Sequence, residues 1–331
     1  MADKVTLVKP PIMYKEAQKV LREIESITGG KIISYYNSIS GNICQNDVNI
    51  FHEIISEWDM QEDLYLLIKS DGGDGKASLR IINLLRQHTK RLTALIQGEC
   101  GSAATMLALG AEEIQMGPLA YLTPIDTSIT HELSPIDRNN NLVRIGHDEL
   151  TRVVKLWNEE QGESNPYPEL YKFIHPLTIG AVDRASSLSI RLCSEILSFH
   201  MTDKGKADNI SKCLNSNYPS HSYPITIRES QRIGLNVNEI DSNVNNLLTD
   251  LYSFYSEMGK KAYTDYDENN YHDNAITNII EAVGVQYFYQ IDKDWHYKTD
   301  ERRYIAWNDK SSWYRIEGTD KEAKPEAIAL R

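Results

Sequence analysis

Residues 64–126 read LYLLIKSDGGDGKASLRIINLLRQHTKRLTALIQGECGSAATMLALGAEEIQMGPLAYLTPID. The run at 64–68 is short and apolar, as in a strand buried on both faces, and the turn-forming Asp71-Gly72-Gly73 closes it. Over 76–88 apolar residues recur at helical spacing (Leu79, Ile82, Leu85), and 92–96 is a second apolar run. The order predicts strand, crossover helix and parallel strand, each strand ending in a glycine loop at its carboxyl end. The second loop delivers Ser102 to the start of another predicted helix, 103–110. A hydroxyl there lies among unpaired N–H groups at the positive end of a helix dipole. It can act as a nucleophile beside an oxyanion site, or it can simply cap the helix, which is what most serines at helix starts do.

Other chemistries fit the stretch less well. Gly72-Gly73-Asp74-Gly75-Lys76-Ala77 lacks the Ser/Thr after lysine and the glycine spacing of a P-loop, and no GxGxxG follows either strand. Two acidic side chains in that loop would also repel phosphate. Cys100 stands two residues before Ser102, and a loop thiol near a helix start can be reactive; a small packing residue is the reading adopted for it.

Working outward, 13–27 predicts an amphipathic helix stopped by Gly29-Gly30, and 31–37 (KIISYYN) a strand of β-branched and aromatic residues. A Ser/Gly/Asn loop then leads to a helix over 47–58. The resulting β-α-β-α-β order predicts helices packed on a mostly parallel sheet. Residues 113–116 predict the next short strand.

Ser70-Asp71-Gly72-Gly73-Asp74, Gly101-Ser102-Ala103-Ala104-Thr105-Met106, Gly117-Pro118 and Pro124-Ile125-Asp126, in that order, resemble the Clp protease and signal-peptide-peptidase superfamily. Within it the pattern is most similar to the group called serine dehydrogenase proteinases. The resemblance continues in Ile174-His175-Pro176-Leu177 and His221-Ser222-Tyr223-Pro224-Ile225, and runs over about 14–290. Ser70-Asp71 and Ala104 depart from its usual motifs. It implies a crotonase-like α/β fold and a serine peptidase acting on peptides or unfolded protein. It further implies a homo-oligomer and no cofactor. Ser102 would be the nucleophile, with the Gly72-Gly73 loop and Ala103 supplying oxyanion donors.

Where the Clp relatives carry their catalytic histidine, this chain has Asp126, so their triad is not simply copied. Three bases remain open. His221 aligns at or beside the relatives' triad aspartate, which would exchange acid and base along the chain, with Asp126 orienting His221. Lys155 stands where signal peptide peptidases use a lysine. However, it points away from the apolar face of its predicted helix (148–160), as an ordinary solvent lysine does. His175 precedes a proline and can equally serve to place the helix that follows.

The chain has 331 residues, 41% hydrophobic and 25% charged, with a net charge of −12, which argues against a nucleic-acid-binding surface. Its start shows no apolar signal segment, and no run reaches the roughly 20 apolar residues of a spanning helix. The four cysteines form no CxxC pair, so a reduced, cytoplasmic setting without a metal site is expected. The organisation expected is a peptidase domain over 1–250, a helical extension over 251–290, and a small aromatic-rich β appendage over 291–331 with a disordered end. Aromatics in that appendage are expected to pack a small sheet. Two readings compete with hydrolysis: a catalytically silent oligomeric scaffold or partner-binding module, and a crotonase-type acyl-CoA enzyme.

Overall fold

The computed structural model describes residues 6–56, 58–162, 164–318 and 324–329. Strands β1 (Lys31–Asn37), β2 (Gln61–Lys69) and β3 (Thr89–Ile96) lie parallel at its centre. Alternate residues feed two cores. Ile33, Tyr35, Leu64, Leu66 and Ile68 face one, with Phe51 of α2 (Gln45–Ile55) and Ile81 of α3 (Gly75–Arg86). Ile32, Tyr36, Tyr65 and Leu67 face the other, with Leu21 of α1 (Tyr14–Thr28) and Leu251 of α10 (Ser242–Met258). Because both faces are covered, these strands read as nearly continuous apolar runs, interrupted by the buried Ser34 and Thr93. Each fully buried Leu or Ile contributes about 1.5–3 kcal/mol. Helix α1 stops where predicted, at Gly29, whose φ of 73° lets its N–H reach the Glu25 carbonyl.

After β4 (Glu99–Cys100) comes α4 (Ala103–Leu109), then β5 (Glu113–Met116) and β6 (Tyr121–Leu122). The short β7 (Ser128–Ile129) and β8 (Ile145–Gly146) pair antiparallel. Helices α5 (His147–Gln161), α6 (Tyr167–Leu170), α7 (Pro176–Leu197), α8 (Lys204–Ser216) and α9 (Ile227–Arg232) precede β9 (Val237–Glu239). The parallel part of the main sheet is β1-β2-β3-β5-β9.

Beyond α10 the structure departs from the expected helical extension. Helix ends at Met258, and strands follow: β10 (Tyr263–Asp265), β11 (Asn270–Asp273), β12 (Ile276–Ala282) and β13 (Val285–Gln290). β12 is buried at every position and pairs antiparallel with β1, because the free side of β1 would otherwise be an exposed edge. β13, β16 (Ser312–Glu317) and β17 (Glu326–Ile328) extend the same sheet outward, giving β17-β16-β13-β12-β1-β2-β3-β5-β9. The other C-terminal strands, β14 (Lys293–Lys298) and β15 (Arg303–Asp309), join β10 and β11 in a separate four-stranded sheet. Its aromatics pack on one another: the Tyr271 ring stacks on Trp295 and meets Tyr304 edge-on. The expected disordered end lies partly outside the described residues, and the described part includes β17, paired with β16.

Among the described residues no helix is long and apolar enough to cross a membrane. None of their His, Cys, Asp and Glu side chains cluster in threes suited to a metal.

Candidate active site

Ser102 has φ 52° and ψ −116°, a backbone conformation that L-residues rarely adopt, and its side chain does not cap α4. Such a conformation costs of order 1–3 kcal/mol and persists only where neighbours over-determine it. They do so here. Gly101 N–H donates to the Ser70 carbonyl at 2.8 Å, Ser102 N–H to Thr123 Oγ1 at 2.9 Å, and Ala104 N–H to the Gly101 carbonyl at 2.8 Å. Thr105 Oγ1 lies 2.9 Å from the Cys100 carbonyl oxygen and 2.8 Å from that of Thr123. The result is a sharp turn between β4 and α4, with Ser102 half-buried at its tip.

The glycine loop runs alongside. Gly72 and Gly73 have φ of 117° and 146°. A Cβ on Gly73 would stand 2.3 Å from the Ile43 carbonyl oxygen, and one on Gly72 would stand 2.7 Å from the Ser102 Cβ. Glycine is required at both. Gly72 N–H donates to Ser70 Oγ at 3.1 Å, so Gly72 supplies clearance and not an open amide. No described acceptor takes the N–H of Gly73 or of Ala103. Of the three residues expected around an oxyanion, two therefore present free donors. Ser70, one of the departures from the usual motif, holds the turn through its buried hydroxyl.

Asp126 and His221 meet. Asp126 Oδ1 lies 2.8 Å from His221 Nδ1, with the carboxylate mostly buried (12% exposed) and the imidazole half exposed (52%). The hydrogen bond to Asp126 raises the imidazole pKa above its usual 6.5, while partial burial and the nearby Arg144 charge oppose the rise. A carboxylate on Nδ1 makes that nitrogen the proton-bearing one and leaves Nε2 free to accept.

Ser102, Gly72, Gly73, Ala103, Asp126 and His221 all line one open cleft of about 700 Å³. Met106 of α4, Ile125, and Leu188 and Leu192 of α7 give it an apolar wall. Arg144 lines it too, fixed by Nε to Ser128 Oγ at 2.6 Å. Among the described residues Ser102 Oγ and His221 share no hydrogen bond.

The other candidate bases lie elsewhere. Lys155 is 74% exposed on α5 beside Glu159. His175 is the N-cap of α7, its Nδ1 accepting from Leu177 N–H at 3.2 Å. Neither lines the cleft. Cys100 is fully buried, and burial pushes its thiol far up, so it packs as expected and is inert. Sequence reading missed Thr123, Arg144 and the apolar residues of α7. Thr123 stands next to the quoted Pro124-Ile125-Asp126 and was open to notice, whereas Arg144 lies in a loop without periodicity.

Residues 15–120 match the family model described as Clp protease. That segment holds the glycine loop and Ser102, and it ends before Asp126, Arg144 and His221. Two uncharacterized proteins of Methanocaldococcus jannaschii are similar to the chain. MJ0137 is 22% identical over 271 residues, 76% of this chain and 84% of that protein. MJ1495 is 27% identical over 205 residues, 61% of this chain and 60% of that protein. Among solved structures, the 1510-N membrane-bound stomatin-specific protease, in a mutant form, matches with a TM-score of 0.38 and 14% identity. That match covers 70% of this chain and 84% of that one.

Proposed function

From the Clp protease character of residues 15–120 we propose that this chain is a serine peptidase that cleaves peptides or unfolded protein in the cleft at Ser102. One observation carries the reading: the Asp126–His221 pair opens onto the same cleft as a strained serine flanked by two free amides. A substrate strand lies extended along the glycine loop, with an apolar side chain against Met106, Leu188 and Leu192. Substrate closes the gap between His221 Nε2 and Ser102 Oγ, a contact that tightens only in the complex. Ser102 Oγ attacks the carbonyl carbon and its proton passes to His221 Nε2. The carbonyl oxygen takes up the negative charge and accepts from Gly73 N–H and Ala103 N–H. The tetrahedral adduct collapses, the C–N bond breaks, and the leaving amine takes the proton from His221. Water, deprotonated by His221, then releases the acyl group and regenerates the serine.

We further propose that copies of the chain assemble. Val153, Leu156, Tyr167, Tyr171, Phe173 and Leu177 are exposed over α5 to α7, and large apolar side chains exposed on successive elements suit an interface between copies.

Hydrolysis of an unstructured protein such as casein, compared between wild type and Ser102→Ala, tests the reading. Cleavage lost in the variant supports it. Equal rates, or none in the wild type, would favour the scaffold or acyl-CoA alternatives.

A further inference from the structure

We infer that Asn278 and Asp47 are positioning residues that clamp the backbone of 42–44 and thereby aim the Gly73 N–H into the cleft. This rests on the reading of that N–H as an oxyanion donor.

Ile43 N–H donates to the Gly72 carbonyl at 2.8 Å, and the Ile43 carbonyl accepts from Asp74 N–H at 2.9 Å. Successive residues of an extended chain aim their amides in opposite directions. Locking residues 72 and 74 onto Ile43 therefore turns the Gly73 N–H the other way, toward Ser102. The direction of the donor is only as fixed as Ile43.

Both neighbours of Ile43 are held. Asn278 Nδ2, from β12, donates to the Asn42 carbonyl at 2.8 Å and to Asp47 Oδ1 at 3.0 Å. Asp47 Oδ2 accepts from Cys44 N–H at 2.7 Å and from the Tyr35 hydroxyl. Asp47 and Tyr35 are fully buried and Asn278 is 4% exposed. Gly41 brings the loop against β12 so closely that a Cβ would stand 2.1 Å from the Thr277 carbonyl oxygen and 2.8 Å from Asn278 Oδ1.

A carboxylate buried without a cation is costly unless several donors satisfy it, and three donors converge here. Asp47 also closes the N-terminus of α2, which accounts for its bond to Cys44 but not for Asn278. Asn278 reaches the loop from a strand late in the chain, so the C-terminal segment braces a loop whose Gly41 and Asn42 line the cleft.

The test uses the full chain as wild type, Asn278→Ala, Gly41→Ala and, as a control of similar stability loss, Leu251→Ala on the opposite face. Amide hydrogen exchange is followed at 42–44 and 72–74, alongside the rate of phosphonylation by a fluorophosphonate. Loss of the clamp should raise exchange at Asp74 about tenfold and slow phosphonylation by about tenfold or more, with neither effect in Leu251→Ala. Unchanged exchange overturns the inference, as does raised exchange with an unchanged labelling rate where the wild type is labelled. A wild type that is not labelled overturns the peptidase reading instead; in that case exchange raised at Asp74 in Asn278→Ala but not in Leu251→Ala supports the clamp, and unchanged exchange overturns it.

Discussion

Asp126 Oδ1 and His221 Nδ1 lie 2.8 Å apart although 95 positions separate the two residues in the chain. Asp126 comes from the loop after β6, and His221 from the segment before α9. To act as the proposed base His221 must be neutral, and its hydrogen bond to Asp126 raises its pKa above 6.5. Peptidase activity should therefore rise with pH through an apparent pKa above 6.5. Asp126→Asn should move that inflection downward and lower kcat/KM by about 10²–10⁴-fold, as read from pH–rate profiles of both proteins.

Lys155 and His175 lie outside the cleft, on the surface of α5 and at the start of α7. Lys155→Ala and His175→Ala should hydrolyse substrate at the wild-type rate, while His221→Ala should lose at least about 10²-fold. Steady-state assays of the three variants separate the candidates.

The backbone at Ser102 predicts a stability gain where function is lost. Glycine is unstrained at φ 52°, so Ser102→Gly should stabilise the fold by about 1 kcal/mol after its larger unfolded-state entropy is counted. Ser102→Ala keeps the strain and should gain nothing from this source. Urea denaturation of the two variants gives the comparison directly. Gly73→Ala should act in the opposite sense, losing about 2 kcal/mol or more as its Cβ meets Ile43.

Two buried carboxyl groups set a pH dependence of stability. Burial pushes Glu281 up to about 7 and Asp47 up to about 6, while the donors around each oppose the rise. A group whose folded pKa exceeds its unfolded value binds more protons when folded, so its contribution is full below the unfolded pKa and falls as pH rises. Stability should decline between about pH 4 and pH 7, with Glu281 contributing on the order of 2–3 kcal/mol. Glu281→Gln should flatten that slope, whatever its absolute stability, in denaturation curves taken across the range.

Much of this is legible in the sequence. The apolar runs of β2 and β3 and the turn residues of the glycine loop gave strand, helix and strand because local pattern and tertiary role agree there. Ser102 was legible for the same reason: its loop, its helix start and its position after a strand coincide. The C-terminal strands were not. Whether Ile276–Ala282 becomes helix or strand is decided by the open side of β1, which no local pattern displays. Arg144 and Asn278 owe their places to contacts with distant parts of the chain, so composition near them carries no mark of the cleft.

In the proposed peptidase His221 activates the Ser102 hydroxyl, and the free amides of Gly73 and Ala103 stabilise the adduct it forms. The most direct measurement is peptide mapping of the covalent adduct after exposure of the protein to a fluorophosphonate near pH 8. A single phosphonylated residue, Ser102, is expected, with no adduct in Ser102→Ala and a rate at least tenfold lower in His221→Ala. An unmodified wild type, or an adduct formed equally fast without His221, would contradict it.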